Sequence, residues 1–308
     1  MLDNFNNNIS PRQLSQQNNE GYLASPLLYG CEAPILGIDR HRIDCDGEGI
    51  TTLVAFYGCP LDCKYCLNPE CHNQESNWMS PQQLYDIVKI DDVYFRATKG
   101  GITFGGGEPL SYPRFINEFH DLCKSRQWTI NVETSLNVSL DNLRLCAFSI
   151  DSFFVDIKCI SNKQYISYTG TSNRKVIRNL EWLADNIDIH SVIIRIPKIP
   201  RYTTDKDINS AIGFVKSLGF VNVDCFDYVL PTEFERARGV RFNQGKSICK
   251  VLKQLRSNLA NNNGLVYNPT ECTYDGPCLG TCPKCDAELH NITTYLNVLE
   301  RNNIKIII

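Results

Sequence analysis

Along residues 51–260, six β-prone apolar segments alternate with stretches of helical pattern, and that alternation limits the fold more than any other feature. The strand signals are TTLVAFYG (51–58), GITF (101–104), WTINVET (128–134), FFVDIK (153–158), SVIIRIP (191–197) and VNVDCFDYV (221–229). Helical patterns lie between them near 113–125, 139–146, 161–168, 173–186 and 205–218, and a longer one near 243–260 follows the last. SPQQLYDIV (80–88) adds a helix start, with Ser80 as N-cap, Pro81 at the first helical position and Gln83 closing a capping box. Strands joined through helices run parallel, because each helix returns the chain to the same end of the sheet. Six such units predict an α/β fold, an open partial (β/α)6 barrel of parallel strands; a closed eightfold barrel needs two more strands. Residues 21–50 carry no periodic signal and are expected to be irregular. The predicted organisation is a flexible tail (1–30), the barrel (31–262) and a C-terminal cysteine-rich extension (263–308).

Composition excludes several classes. The net charge of −3 gives no electrostatic footprint for broad nucleic-acid binding. The opening MLDNFNNNISPRQLSQQNNE has no apolar core of signal-peptide length, and no run of about 18 apolar residues predicts a membrane span. Fifteen cysteines in a long chain, several of them at metal-ligand spacings, point to metal sites in a reducing cytoplasm rather than to a disulfide framework.

In parallel β/α architectures the ligand site lies at the C-terminal ends of the strands. The chemically notable residues fall there. Cys59, Cys63 and Cys66 follow the first strand, Gly105, Gly106, Gly107 and Glu108 the second, and Glu133 with Thr134 ends the third. Asp156 and Lys158 end the fourth, and Arg195 lies toward the end of the fifth.

The loop GCPLDCKYC offers cysteines at C-x3-C-x2-C with no fourth at short spacing. Three thiolates hold three corners of a [4Fe–4S] cluster and leave one iron with an open coordination position. Open positions distinguish reactive metal sites from closed structural ones. The alternatives are zinc, with Cys71 or His72 completing the set, and free thiols.

C-x3-C-x2-C with Tyr65 before the last cysteine is similar to the signature of the radical S-adenosylmethionine (SAM) enzymes. GGITFGGGEP (100–109) resembles the motif of the glycyl radical enzyme activases, the group that includes pyruvate formate-lyase activating enzyme. DGEGI (46–50), FVDIK, YTGTSNRKVIRNLEWLA and IIRIPKIP resemble further elements of that family in order, so that the likeness spans roughly residues 37–230. The resemblance implies a [4Fe–4S] cluster whose unique iron chelates SAM. It also implies reductive cleavage of SAM to a 5′-deoxyadenosyl radical that abstracts hydrogen from a protein substrate, with flavodoxin or ferredoxin as electron donor. By the same resemblance Gly105, Gly106, Gly107 and Glu108 bind the methionine amino group. Asp156 and Lys158 reach the cofactor, and Glu133, Thr134 and Asp156 help to bind a monovalent cation. The family's activating enzyme has aspartate where this chain has Glu133.

Each assignment has a plainer alternative. A glycine loop is also a tight turn, and the polar strand ends are also solvated ends. Arg195, in an otherwise apolar strand, has a cofactor or a structural ion pair as partner. Tyr65 stacks on adenine or packs within its loop. Cys123, Cys146, Cys159, Cys225 and Cys249 read as small buried hydrophobes; Cys31, Cys45 and Cys71 have no assignment.

The C-terminal stretch ECTYDGPCLGTCPKCDAEL carries Cys272, Cys278, Cys282 and Cys285, a complete four-thiolate set. Spacing does not choose between zinc and an auxiliary [4Fe–4S] cluster. The expected substrate is a glycyl radical enzyme. The alternatives are a small peptide modified by a maturase, since such enzymes resemble this chain in their C-terminal clusters, and a non-catalytic iron–sulfur redox role.

Overall fold

The computed structural model describes residues 31–229, 231–274 and 282–308, with side chains placed outside 231–244. The predicted flexible tail and Cys278 lie outside the described residues.

Eight strands form one mixed sheet: β1 (Ala33–Ile43), β2 (Ile50–Phe56), β3 (Asn77–Met79), β4 (Gly101–Gly106), β5 (Thr129–Thr134), β6 (Ser152–Asp156), β7 (Val192–Lys198) and β8 (Asn222–Asp227). Their order is β3-β1-β2-β4-β5-β6-β7-β8. From β2 through β8 the pairings are parallel and follow chain order, giving the six-strand array. Among the described residues β3 and β8 are the sheet's edges and do not pair with one another.

The helices are α1 (Pro81–Val88), α2 (Asp92–Thr98), α3 (Pro113–Cys123), α4 (Leu140–Cys146), α5 (Asn162–Thr169), α6 (Arg174–Asn186), α7 (Asp205–Ser217), α8 (Pro231–Asn262) and α9 (Pro283–Arg301). α1 starts as its sequence predicts, with Gln83 N–H donating to Ser80 Oγ and Ser80 N–H to the Gln83 side chain. Such a reciprocal cap satisfies two donors that have no partner within the helix.

Of the stretch 21–50, expected to be irregular, residues 21–30 lie outside the described residues, and most of the remainder is a strand. β1 runs for 11 residues, antiparallel to β2, with register shifts between Ile35 and Gly37 and between Asp39 and Arg42. Its charged run Asp39-Arg40-His41-Arg42 hides it from apolar patterning, because Arg40 and His41 are hydrogen-bonded to buried Asp91, some fifty residues on. β3, at three residues, is too short to carry a pattern.

Alternation along the parallel strands sorts the sheet into two faces. Val54, Phe104, Ile130, Val132, Phe153 and Val155 are fully buried under the helices in the main core. Leu53, Ala55, Glu133, Phe154, Asp156 and Arg195 point the other way and are only half-buried. Asp46 closes this second face at the N-terminal ends of the strands: it is buried, takes hydrogen bonds from Arg42 and Thr51, and its carbonyl accepts from Thr103 Oγ1 at 2.6 Å. That is the structural work of the DGEGI element.

A second cluster joins Ile50, Val93 and Tyr94 to Leu252 and Leu259 of α8 and to Leu289, Ile292 and Leu296 of α9. Ion pairs add to it, with Arg40 reaching Asp286 at 3.1 Å and Arg96 reaching Glu300 at 2.9 Å. α8 thus packs with α9, on both sides of the division expected at 262/263.

Candidate active site

The glycine-rich loop and the three-cysteine loop are hydrogen-bonded to one another. Gly107 N–H donates to Phe56 O and Glu108 N–H to Gly58 O, both at 2.9 Å. A Cβ on Gly107 would lie 2.1 Å from Gly58 O, and one on Gly106, whose φ is +85°, 2.8 Å from Ala55 Cβ. The glycines therefore let β4 meet the backbone that launches Cys59, a close approach that any side chain would block. On its other side the cysteine loop is tied to α5, with Asp62 N–H donating to Thr169 O at 2.8 Å and Lys64 N–H to Tyr168 O at 3.1 Å.

Glu108 points away from the open face. It is fully buried and accepts from Thr134 Oγ1 at 2.7 Å, Ser135 N–H at 2.9 Å, Ser135 Oγ at 2.6 Å and Leu110 N–H at 3.3 Å. Burial pushes its carboxyl above the ordinary range, against the pull of these donors. Its side chain bridges the ends of β4 and β5.

Glu133, Asp156, Lys158 and Arg195 converge. Arg195 donates through Nε to Asp156 and through Nη1 to Glu133, each at 2.7 Å, and Lys158 Nζ reaches Asp156 at 3.0 Å. Two carboxylates and two cations alternate, all at most a quarter exposed. Burial would raise the Asp156 carboxyl, but Lys158 and Arg195 together hold it below its usual range. The Arg195 guanidinium also lies over the Phe154 ring, 5.6 Å from its centroid.

The expected cation set of Glu133, Thr134 and Asp156 is divided between the two sides of the sheet. Thr134 follows Glu133 on the strand and so faces the opposite side, where it bonds Glu108. The two carboxylates already share a fixed cation, Arg195. Spacing along the chain identified the residues but not the guanidinium inserted between them.

Cys59, Cys63 and Cys66 are half-buried. Cys63 is pushed up to about 11 by burial, with Lys158 pulling it back. The short turn Pro69–His72 brings Cys71 beside Cys66, and ligand atoms of Cys66, Cys71 and His72 lie within 4.8 Å of one another. A hydrogen bond from Cys71 draws Cys66 down to about 7. Three thiols on one loop, beside an ammonium that balances their charge and open to a polar sheet face, suit a [4Fe–4S] cluster with a vacant iron position. The fourth nearby thiol, Cys71, belongs to the same loop and is buried.

Tyr65 packs edge-on against Tyr202, with centroids 5.6 Å apart, and against Tyr168 at 6.3 Å. Its carbonyl accepts from Tyr228 Oη. Sequence reasoning did not single out Tyr168, Tyr202 or Ser135, although Tyr168 opens the YTGTSNRKVIRNLEWLA element. Tyr228 lies next to the end of the sixth predicted strand.

Of the remaining cysteines, Cys123, Cys146 and Cys159 are buried, as expected of small hydrophobes. Cys225 is not, because β8 is an exposed edge strand. Cys249 is buried but lies against Cys285 rather than against hydrocarbon alone. In the C-terminal set Cys285 is buried, Cys282 half-buried and Cys272 exposed. Among the described residues no helix is long and apolar enough to cross a membrane.

Comparison with known proteins follows the same lines. The model of the radical SAM superfamily matches residues 53–214. The pyruvate formate-lyase-activating enzyme of Clostridium pasteurianum is 30% identical, over 56% of this chain and 72% of its own length. The indoleacetate decarboxylase activating enzyme of Tractidigestivibacter scatoligenes is 24% identical, over 59% of this chain and 79% of its own. Among solved structures, native anSMEcpe with bound AdoMet overlaps 81% of this chain and 60% of its own, at a TM-score of 0.45 and 14% identity, too loose a likeness to bear on function. A family match over half the chain, enclosing both hydrogen-bonded loops and the charged strand ends, makes this protein a member of the radical SAM superfamily, an enzyme resembling the glycyl radical enzyme activases.

Proposed function

We propose that the protein activates a glycyl radical enzyme, abstracting hydrogen from a glycine of that partner. The observation that carries this reading is the 30% identity to a pyruvate formate-lyase-activating enzyme, 72% of which this chain covers. A [4Fe–4S] cluster with SAM supplies one-electron reductive cleavage of a carbon–sulfur bond, the chemistry that starts radical formation.

The chain's own residues then have defined tasks. Cys59, Cys63 and Cys66 hold the cluster, and Lys158 balances their charge. The backbone of Gly105, Gly106 and Gly107 would hold the amino acid end of SAM, while Glu108 locks that loop onto β5. Asp156 and Lys158 line the same face, with Glu133 and Asp156 held in place by Arg195. Tyr65 would contact the adenine. No separate monovalent cation is needed where Arg195 already bridges the two carboxylates. A flavodoxin or ferredoxin as donor, a cytoplasmic location and a metal at the C-terminal cysteines complete the proposal.

The test is anaerobic incubation of the reconstituted protein with SAM, a reductant and a glycyl radical enzyme encoded beside it. A stable glycyl radical signal on the partner, absent in a Cys59→Ala/Cys63→Ala/Cys66→Ala variant, is expected. Deoxyadenosine formation with no radical on any such partner would overturn the activase reading. The C-terminal cysteine set favours a second reading, a peptide maturase, whose mark is a mass change in a small precursor peptide.

A further inference from the structure

Cys66 belongs to two ligand sets at once. With Cys59 and Cys63 it makes the three-thiol loop; with Cys71 and His72 it makes a tighter group. One donor atom from each of Cys66, Cys71 and His72 lies within 4.8 Å of the other two, and Cys59 and Cys63 stand outside that group. Cys71 is buried, Cys66 half-buried and His72 exposed, so the group runs from the core to the surface. Protein contacts alone hold the turn that carries Cys71 and His72. Pro69 opens it, and Cys71 N–H donates to Asn68 O at 3.1 Å. Gly58 N–H donates to Cys71 O at 2.8 Å and Tyr57 Oη to His72 O at 3.1 Å. Tyr57 and Gly58 directly follow β2, so the segment that launches the cysteine loop also fixes the turn.

We propose that Cys66, Cys71 and His72 bind one zinc ion before the protein receives its cluster, and that zinc and the cluster compete for Cys66. The competition rests on the reading of Cys66 as a cluster ligand; the zinc site does not. Two thiolates and an imidazole are ordinary zinc donors, and bonds of about 2.0–2.3 Å place neighbouring donor atoms about 3.3–3.8 Å apart. Side-chain rotation at exposed His72 closes the remaining gap. A [4Fe–4S] cluster makes the opposite demand, since its thiolates bond separate irons at the corners of a cube and stand further apart. His72 sets the preference: imidazole suits zinc, whereas the three loop thiols offer sulfur alone. With three protein donors the fourth zinc position faces solvent beside His72, as in an open site. Zinc bound there withholds Cys66 from the cluster and keeps the cluster-free protein inactive until the ion is removed.

The experiment uses the full chain, prepared without iron or oxygen and titrated with cobalt(II) as the optical stand-in for zinc. His72→Ala and Cys71→Ser should each weaken one cobalt equivalent by at least about tenfold, whereas Cys59→Ala/Cys63→Ala should leave it in place. Thiols elsewhere in the chain contribute equally to every variant, so the difference isolates this site. In a second step zinc is added before iron–sulfur reconstitution. The zinc concentration that halves iron uptake should rise at least about tenfold in His72→Ala over the wild type. Cobalt binding unchanged in His72→Ala and Cys71→Ser, or lost in Cys59→Ala/Cys63→Ala, would overturn the site. Equal zinc sensitivity of the wild type and His72→Ala, or none in the wild type, would overturn the competition. Should buried Cys71→Ser fail to fold, exposed His72→Ala decides both. No SAM or partner enzyme is present, so failure here leaves the activase reading untouched.

Discussion

Arg195 Nε donates to Asp156 Oδ1 at 2.7 Å across two adjacent parallel strands, whose register sets these residues side by side. The same guanidinium bridges to Glu133, so a fixed cation sits between two carboxylates at the rim of the sheet. Cofactor cleavage should therefore proceed equally in potassium, in sodium and in a bulky organic cation. Arg195→Met leaves the carboxylates facing each other and should cost about 2–3 kcal/mol of stability. It should also create a stimulation by small monovalent cations that the wild type lacks. A strong potassium requirement in the wild-type protein, measured as deoxyadenosine formed, would sink this account.

Gly107→Ala tests whether the glycine loop and the cysteine loop act as one unit. The new methyl carbon would lie 2.1 Å from Gly58 O, and backbone on both sides leaves it nowhere to go. The loops must part, and iron bound after reconstitution should fall to less than about half of the wild-type content while far-ultraviolet circular dichroism is kept. Full iron and an unchanged melting temperature would show that the contact is dispensable.

Glu108→Gln keeps one acceptor and turns the other into a donor facing the Ser135 N–H. The mismatch is buried and should cost about 2 kcal/mol, read by denaturant unfolding. A cost near zero would mean that Glu108 is not what joins β4 to β5.

Tyr228→Phe removes the hydroxyl that donates to the Tyr65 carbonyl. Stability should drop by about 1 kcal/mol or less. SAM affinity, measured by equilibrium binding to the reconstituted protein, should weaken several-fold because the Tyr65–Cys66 segment loses an anchor. Wild-type affinity in the variant would place that segment's support elsewhere.

Asp91 makes the stability pH-dependent in a defined direction. Burial would raise its carboxyl, but hydrogen bonds from Arg40 and His41 hold it below the ordinary value. A depressed folded pKa stabilises above the unfolded carboxylate value of about 4, and the gain is lost as pH falls through the folded pKa. The stability difference between wild type and Asp91→Asn should accordingly shrink below about pH 4. A constant difference down to acid would contradict the ion pair as its source.

The parallel array was legible because its strands are apolar on their helix-covered side and end in punctuation: GGGEP after GITF, and cysteines after TTLVAFYG. β1 was not legible, since Arg40 and His41 find their partners in Asp91 and Asp286, far along the chain or in the C-terminal helix. Motif spacing singled out Glu108 and the Glu133–Thr134 pair but not the direction of their side chains.

Local sequence thus determined what repetition and spacing can encode: alternating strands and helices, a three-thiol loop at a strand end, a glycine-rich turn and a cysteine-rich C-terminal stretch. Only the tertiary structure decided which groups meet. Arg195 reaches Glu133 because parallel register aligns three strands, Glu108 is consumed because β4 and β5 end together, and Cys249 meets Cys285 because two helices share one apolar seam. The physical reason is the same in each case. Period and propensity act over a few residues, whereas ion pairs, buried hydrogen bonds and metal ligation depend on distances in space that packing alone sets.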